Sequence, residues 1–433
     1  MLADRISFVQ VAIVLLALGS PARADDWPQW RGPTRDGVWH ETGIVEKFND
    51  RQIPWLWSTE IGSGYSGPTV AEGRVYVTDR VRQPTQIERV HCFDARDGKK
   101  VWSHEYESTY SIGYEAGPRA SVSIDDGRAY ALGGMGHLHC YDATTGELHW
   151  KHDLNAEYKI RMPIWGISAS PLVDGGLVIV QIGGADDACL VAFDKVTGKQ
   201  RWRALSDEAS YAAPLVIEQA GKRVLLCLTG NNVVGLEPAT GKIHWKVPFP
   251  PRRMVIAIST PVVSGNRVFV TSFYDGSLMV GLDEHRLEAK ELWRRMGRDE
   301  KMTDALHSII STPLFLGNYV YGVDSYGELR CLDAATGDRL WTSTAATPPA
   351  RWSTIHMVVN GKQVWMFNER GELLITRLSP QGYEEISRTK LIDPTTDQLR
   401  QRGGVCWAHP AYADRCVFAR NDKQLVCASL AAE

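Results

Sequence analysis

The residues of this chain best equipped to hold a ligand are Arg119, Trp165, His356, Trp407 and His409, with Glu115 and Arg351 close to them along the sequence. Trp and Arg combine flat apolar area with directed hydrogen-bond donors, which suits a sugar, a quinone-like ring or a peptide surface. Arg161, Tyr211, Arg252, Arg253, Asp304, His307 and Trp352 extend the set. Apart from Tyr211, these side chains lie in or beside six segments, residues 110–119, 158–167, 248–256, 297–309, 348–355 and 391–407, which vary where the rest of the chain repeats. Variable links between regular elements are where scaffolds carry function. The competing expectation is structural: Arg and Asp pair around a polar axis, and the Trp rings cover turns.

Other chemistries find less support. His137 and His139 stand two apart and share one face of a strand, as a metal pair would. His139, however, falls at the repeat position held by His91 and Arg330, which predicts a solvated strand site instead. Gly62-Ser63-Gly64-Tyr65-Ser66-Gly67 is glycine-rich but precedes a strand, not a helix whose N-terminus could cradle a phosphate. No Gly-x-Ser-x-Gly turn occurs. No catalytic residue and no metal ligand is assigned.

The elements that must position these residues are repetitive. Trp57, Trp102, Trp150, Trp202, Trp245, Trp293 and Trp341 recur at intervals of 43 to 52 residues. Asp94, Asp142, Asp194, Glu237 and Asp333 stand eight residues before a Trp, and Gly98, Gly146, Gly198, Gly241 and Gly337 stand four before it. Short Val- and Tyr-rich runs between turn residues, repeated at this period, predict one four-stranded antiparallel blade per unit. The Asp accepts from backbone amides in a tight reversal, and the Gly supplies a positive φ. The Trp that follows belongs on the outermost strand, over the seam between blades, so these Asp and Trp residues are read as structural. Six blades end at Trp102 to Trp341. Residues 371–388 give a seventh whose Trp position is degenerate near Ser387, and residues 408–430 give three strands of an eighth. Residues 54–59 supply the missing strand. The expected fold is all-β: an eight-bladed β-propeller closed by an N-terminal strand in its last blade, which removes exposed sheet edges.

Residues 1–24 carry Arg5, an apolar run over 6–18 and Ala22-Arg23-Ala24, the pattern of a secretory signal peptide cleaved near Ala24. Residues 25–50 then form an N-terminal extension and residues 51–433 the propeller. No later stretch has the length of a transmembrane helix. A net charge of −3 with no basic block gives nucleic-acid binding no support. The expectation is an exported monomer, periplasmic or secreted. Of the eight cysteines, Cys92, Cys140 and Cys331 share one repeat position in different blades, too far apart to bridge. Cys406 and Cys416 are the one pair to test for a disulfide.

Trp27-Pro28-Gln29-Trp30-Arg31-Gly32-Pro33 and the Asp-Ala-x-Thr-Gly-x-x-x-Trp unit ending at Trp341 resemble the PQQ-like β-propeller repeat proteins. That superfamily includes the quinoprotein alcohol dehydrogenases and the outer-membrane assembly lipoprotein of the BamB type. Gly117-Pro118-Arg119-Ala120, the run from Trp165 to Leu172 and Ala419-Arg420-Asn421-Asp422-Lys423 resemble exported propellers of planctomycete-like bacteria. The resemblance covers essentially all of the chain after residue 24. For a dehydrogenase it implies PQQ over a Ca²⁺ at the axis, with an Asp as base. Many such enzymes carry adjacent cysteines, which this chain lacks, and calcium wants six or more oxygen ligands that no Glu/Asn/Asp set here offers. For the BamB type it implies an envelope scaffold, although no Cys follows the apolar run to take a lipid.

The reading is therefore a noncatalytic exported binding or assembly scaffold of the cell envelope, without a cofactor and with a protein or glycan partner. The alternatives are a PQQ-dependent oxidoreductase using Ca²⁺ and a carbohydrate-binding accessory protein. Trp165, Trp352 and Trp407 gathered at one mouth would be the signature of the latter.

Overall fold

A computed structural model describes residues 25–432, so the signal-peptide segment lies outside the described residues. Alternating apolar runs become strands, and the turn residues between them close hairpins. The result is eight four-stranded antiparallel sheets. The first blade, Thr69–Ala71, Arg74–Val81, Ile87–Asp94 and Lys100–Glu107, sets the pattern of a short inner strand at the axis and an outer strand at the rim. Trp55–Glu60 pairs antiparallel with Gln424–Ser429 as the outermost strand of the last blade, whose other strands are Cys416–Arg420 and Ala411–Ala413. Ring closure is as the repeat predicts.

The repeated Asp, Gly and Trp form one device. Asp142 Oδ1 accepts from the Thr144 and Thr145 amides, and Asp194 and Asp333 repeat the turn. Each indole then reaches into the next blade: Trp57, Trp102, Trp150, Trp202 and Trp293 Nε1 donate to the carbonyls of Ala95, Ala143, Lys195, Pro238 and Ala334. The next hairpin's glycine lies flat on that ring, so Gly146 is required twice, by its φ of +76° and because a Cβ there would stand 2.6 Å from Trp102 Cδ2. Gly146→Ala is expected to lower stability by about 1–3 kcal/mol, read by urea unfolding, because both strain and overlap oppose it. Trp245 departs from the pattern, since the fifth blade's hairpin has no such glycine, and its indole donates to Gln219 Oε1. In the seventh blade Ser387 does occupy the Trp register, opposite Ile375. Phe48 of the N-terminal extension covers the gap, its amide bonded to Ser387 Oγ and its ring on Trp365.

The extension does more than cover a seam. Trp27, Pro28 and Gly37 hydrogen-bond Val70, Ile124 and Val359, residues of three inner strands, so the segment threads into the axis from the end opposite the variable links. Arg35 is buried there and donates to the carbonyls of Pro171 and Pro214, and Trp30 Nε1 donates to Thr260 Oγ1 at 2.8 Å. Both carbonyls precede or open inner strands, so a single arginine ties the extension to two blades.

One sequence expectation needs correcting, and one open question is answered. His91, His139 and Arg330 do share a register position, but it is buried in the seam and not solvated: His139 is 3% exposed, packed on Tyr106 and Tyr141. At His139 the cover comes from the first blade, whose His104 and Tyr106 rings lie against it. Cys406 and Cys416 form no disulfide; all eight cysteines are free thiols, and Cys416 lies diagonal to Cys427 across the last blade's strands.

Candidate ligand site on the propeller axis

Each inner strand is entered through a link from the previous blade's rim, so the eight entry points encircle the axis. Ser170, Ala213, Thr260, His356 and His409 sit at such points and line one cavity of about 150 Å³. The links add Tyr65, Tyr114, Arg119, Trp165, Tyr211, Trp352 and Trp407 around it, and Trp30 of the extension forms its floor. Tyr114 is the hub of the aromatic wall, with Trp165, Trp352 and Trp407 each about 6 Å from its ring.

Arg119, Trp165, His356, Trp407 and His409 all face this one space. Arg119 also holds its own link in shape: its guanidinium donates to Gly113, Gly117 and Tyr114 carbonyls and lies 4.9 Å over the Tyr65 ring. His356 Nε2 donates to the Trp407 carbonyl, which leaves Nδ1 as an acceptor. His409 Nδ1 donates to the Pro410 carbonyl, and its Nε2 accepts from Ser121 Oγ. Burial lowers His356 to about 4 and His409 to about 3, so both rings are neutral at neutral pH. Burial likewise pushes the Tyr211 hydroxyl up to about 12. Trp407 Nε1 is buried without a partner, and Ser168 Oγ is unpartnered too. An indole N–H can only donate, so this wall invites an acceptor oxygen.

Glu115 and Arg351 lie elsewhere. Glu115 is exposed and contributes its carbonyl to Arg80 and Arg82. Arg351 lies 4.5 Å over the outer face of Trp352 and is held by Glu300, so its charge is spent on a neighbour. Three of the other polar residues of the links follow the structural expectation: Arg161 pairs with Glu208, Asp304 with Arg295, and His307 bonds the Phe273 carbonyl and the Gly297 amide, whereas Arg253 lies over the Tyr274 ring and Arg252 donates to Met296 Sδ. Trp30, Tyr65 and Tyr114 are wall residues that sequence reasoning passed over. The signal for Trp30 was present in the Trp27 to Pro33 run, but nothing in its spacing says that a segment before the repeats returns to the axis.

The donor set does not suit a calcium-bound quinone. The cavity wall includes no Asp or Glu side chain, and no cluster of three or more His, Cys, Asp or Glu able to hold a metal exists among the described residues. Hard cations need several converging carboxylate or carbonyl oxygens.

Comparison with known proteins points the same way on fold. The family model described as outer membrane protein assembly factor BamB matches residues 86–303 and 289–433. The chain is 24% identical over 356 residues to BamB of Burkholderia pseudomallei, covering 77% of this chain and 74% of that protein. It is 28% identical over 221 residues to quinohemoprotein alcohol dehydrogenase ADH-IIG of Pseudomonas putida, a match that takes in 45% of this chain and only 30% of that enzyme. Among solved structures, BamB of Moraxella catarrhalis superposes with a TM-score of 0.59 at 16% identity, over 87% of this chain and 99% of that one. The quinohemoprotein alcohol dehydrogenase of Comamonas testosteroni does so with 0.65 at 15% identity, over 94% and 81%.

Proposed function

The chain belongs to the family of the outer membrane protein assembly factor BamB, and from that premise we propose that it is a noncatalytic binding scaffold whose ligand site is the axial aromatic cavity. In this reading it is exported with residues 1–24 as its signal peptide, acts as a monomer, and meets a protein or glycan of the cell envelope, not a nucleic acid. No helix among the described residues is long and apolar enough to cross a membrane.

One observation carries the reading. The cavity joins a wall of Trp and Tyr rings to unpartnered donors, and it holds no carboxylate to serve as a base or to ligate a cation. Such a wall gains affinity by burying flat apolar area and gives direction through a few hydrogen bonds. The gathering of Trp165, Trp352 and Trp407 around Tyr114 favours a glycan as the second reading, because sugar rings stack on such plates.

The test combines capture and cofactor challenge. Partners or glycans retained by the purified protein from envelope extracts are expected to bind Trp165→Ala at least about tenfold more weakly, a loss of one plate worth roughly 1.4 kcal/mol or more, with an unchanged urea midpoint. Retention of every partner by that variant would sink the site assignment. Incubation with PQQ and Ca²⁺ is expected to leave the melting temperature unmoved and to give no dye-coupled alcohol oxidation; turnover would replace the scaffold with an oxidoreductase.

A further inference from the structure

Beneath the axial cavity lies a second, smaller one of about 20 Å³, separated from it by Trp30, His356 and His409. Trp27 and Arg31 of the N-terminal extension and Tyr412 of the last blade border it. Trp27 Nε1 and Tyr412 Oη are both buried without a hydrogen-bond partner, in residues only 2% and 1% exposed. Their rings meet edge to face at 5.6 Å. Arg31 is buried as well; its guanidinium donates to the Arg35 and Asp36 carbonyls and makes no ion pair among the described residues. The residues bordering the void therefore carry two unpartnered buried donors and a buried cation.

Orphaned buried donors are costly and mark an unplaced guest. A void of this size admits a single small guest. Water could accept from Trp27 and Tyr412, but it would add no counter-charge beside Arg31, whose electrostatic partner Asp36 is exposed and forms no ion pair with it among the described residues. Burial of a charge without a counter-charge is the larger cost. A cation is excluded by Arg31 itself and by the lack of any carboxylate in the wall. Tyr412 keeps its proton, since burial pushes its hydroxyl above the ordinary range, and so remains a donor.

We propose that this inner cavity is a monovalent halide site, filled by chloride, in which Trp27 and Arg31 of the extension and Tyr412 of the last blade hold one anion and so fasten the extension into the axis. The anion thereby supports Trp30, the floor of the axial cavity above it.

The whole chain after the signal segment tests this, with bromide as the probe. Crystals grown or soaked in bromide are expected to show an anomalous peak between Trp27 Nε1, Tyr412 Oη and Arg31. In solution, replacing gluconate by chloride at fixed ionic strength is expected to raise the melting temperature by about 2 °C or more. Tyr412→Phe, which keeps the ring and removes its donor, is expected to lose most of that rise, and so is Trp27→Phe, which removes the other donor while leaving a smaller aromatic ring. Equal melting temperatures in chloride and gluconate, or density for a water with no anomalous signal, would overturn the proposal. If a variant does not fold, the bromide map of the unaltered protein decides alone.

Discussion

Replacing Trp57 by alanine is expected to lower the unfolding free energy by about 3–5 kcal/mol, the cost of emptying a large buried aromatic site. Trp57 belongs to the strand that closes the ring, and its indole is buried against Gly98 and Phe418 while donating to the Ala95 carbonyl at 2.9 Å. It thus packs the last blade on the first, and through Phe418 it also braces the noncovalent closure inside the last blade, where its own strand pairs with Gln424–Ser429. Trp57→Phe separates the two contributions. It keeps most of the apolar area but orphans the Ala95 carbonyl, and about 1–2 kcal/mol is expected from that alone. Trp341→Ala, at a half-buried position in the middle of the chain, should cost less than Trp57→Ala. Urea unfolding followed by far-UV circular dichroism gives all three values. A loss under about 1 kcal/mol for Trp57→Ala would show that the indole does not carry the closure.

Acid should weaken this protein over an unusual window, between pH 6.5 and 4, through histidines that are buried neutral. Burial, reinforced by His104 and His137, lowers His139 to about 3, and burial with His356 nearby lowers His409 to about 3. In the unfolded chain each returns to about 6.5. Because the folded values are depressed, the unfolded state binds more protons between the two, and stability that is complete above pH 6.5 is lost as the pH falls. By pH 4 each group is expected to withdraw about 3 kcal/mol. The pair together reaches the scale of a domain's whole stability. His139→Phe retains a ring between Tyr106 and Tyr141 and removes the proton site, so its stability should change with pH by about 3 kcal/mol less than the parent between pH 6.5 and 4. Urea midpoints at pH 7.5, 6, 5 and 4 test this, and parallel curves for parent and variant would refute it.

The seams were legible because their cause is local and repeated. An acceptor in a tight turn, a glycine without a Cβ and an indole eight residues after the acceptor recur in five blades, and any one copy explains the others. Even the missing copy at Ser387 could be located by counting. The site was legible only in part. Arg119, Trp165, His356, Trp407 and His409 stood out by residue type in the variable links, and the fold brings all five to one cavity. Glu115 and Arg351 had the same credentials in sequence, yet one points to solvent and the other is held by Glu300. Side-chain type in a link states what a residue can do, whereas its direction depends on how the whole loop is braced.

By itself, then, the order of residues determined the blade, the number of blades and the strand that completes the ring, since each follows from a period and from short-range turn chemistry. Only the tertiary structure decided that residues 27–37 turn back into the axis, that Trp30 becomes the floor of the aromatic cavity, and that Arg31 and Tyr412 border one small cavity. Those contacts join positions hundreds of residues apart and occur once, so no repetition announces them; they exist because eight inner strands leave a central channel whose burial some part of the chain must complete.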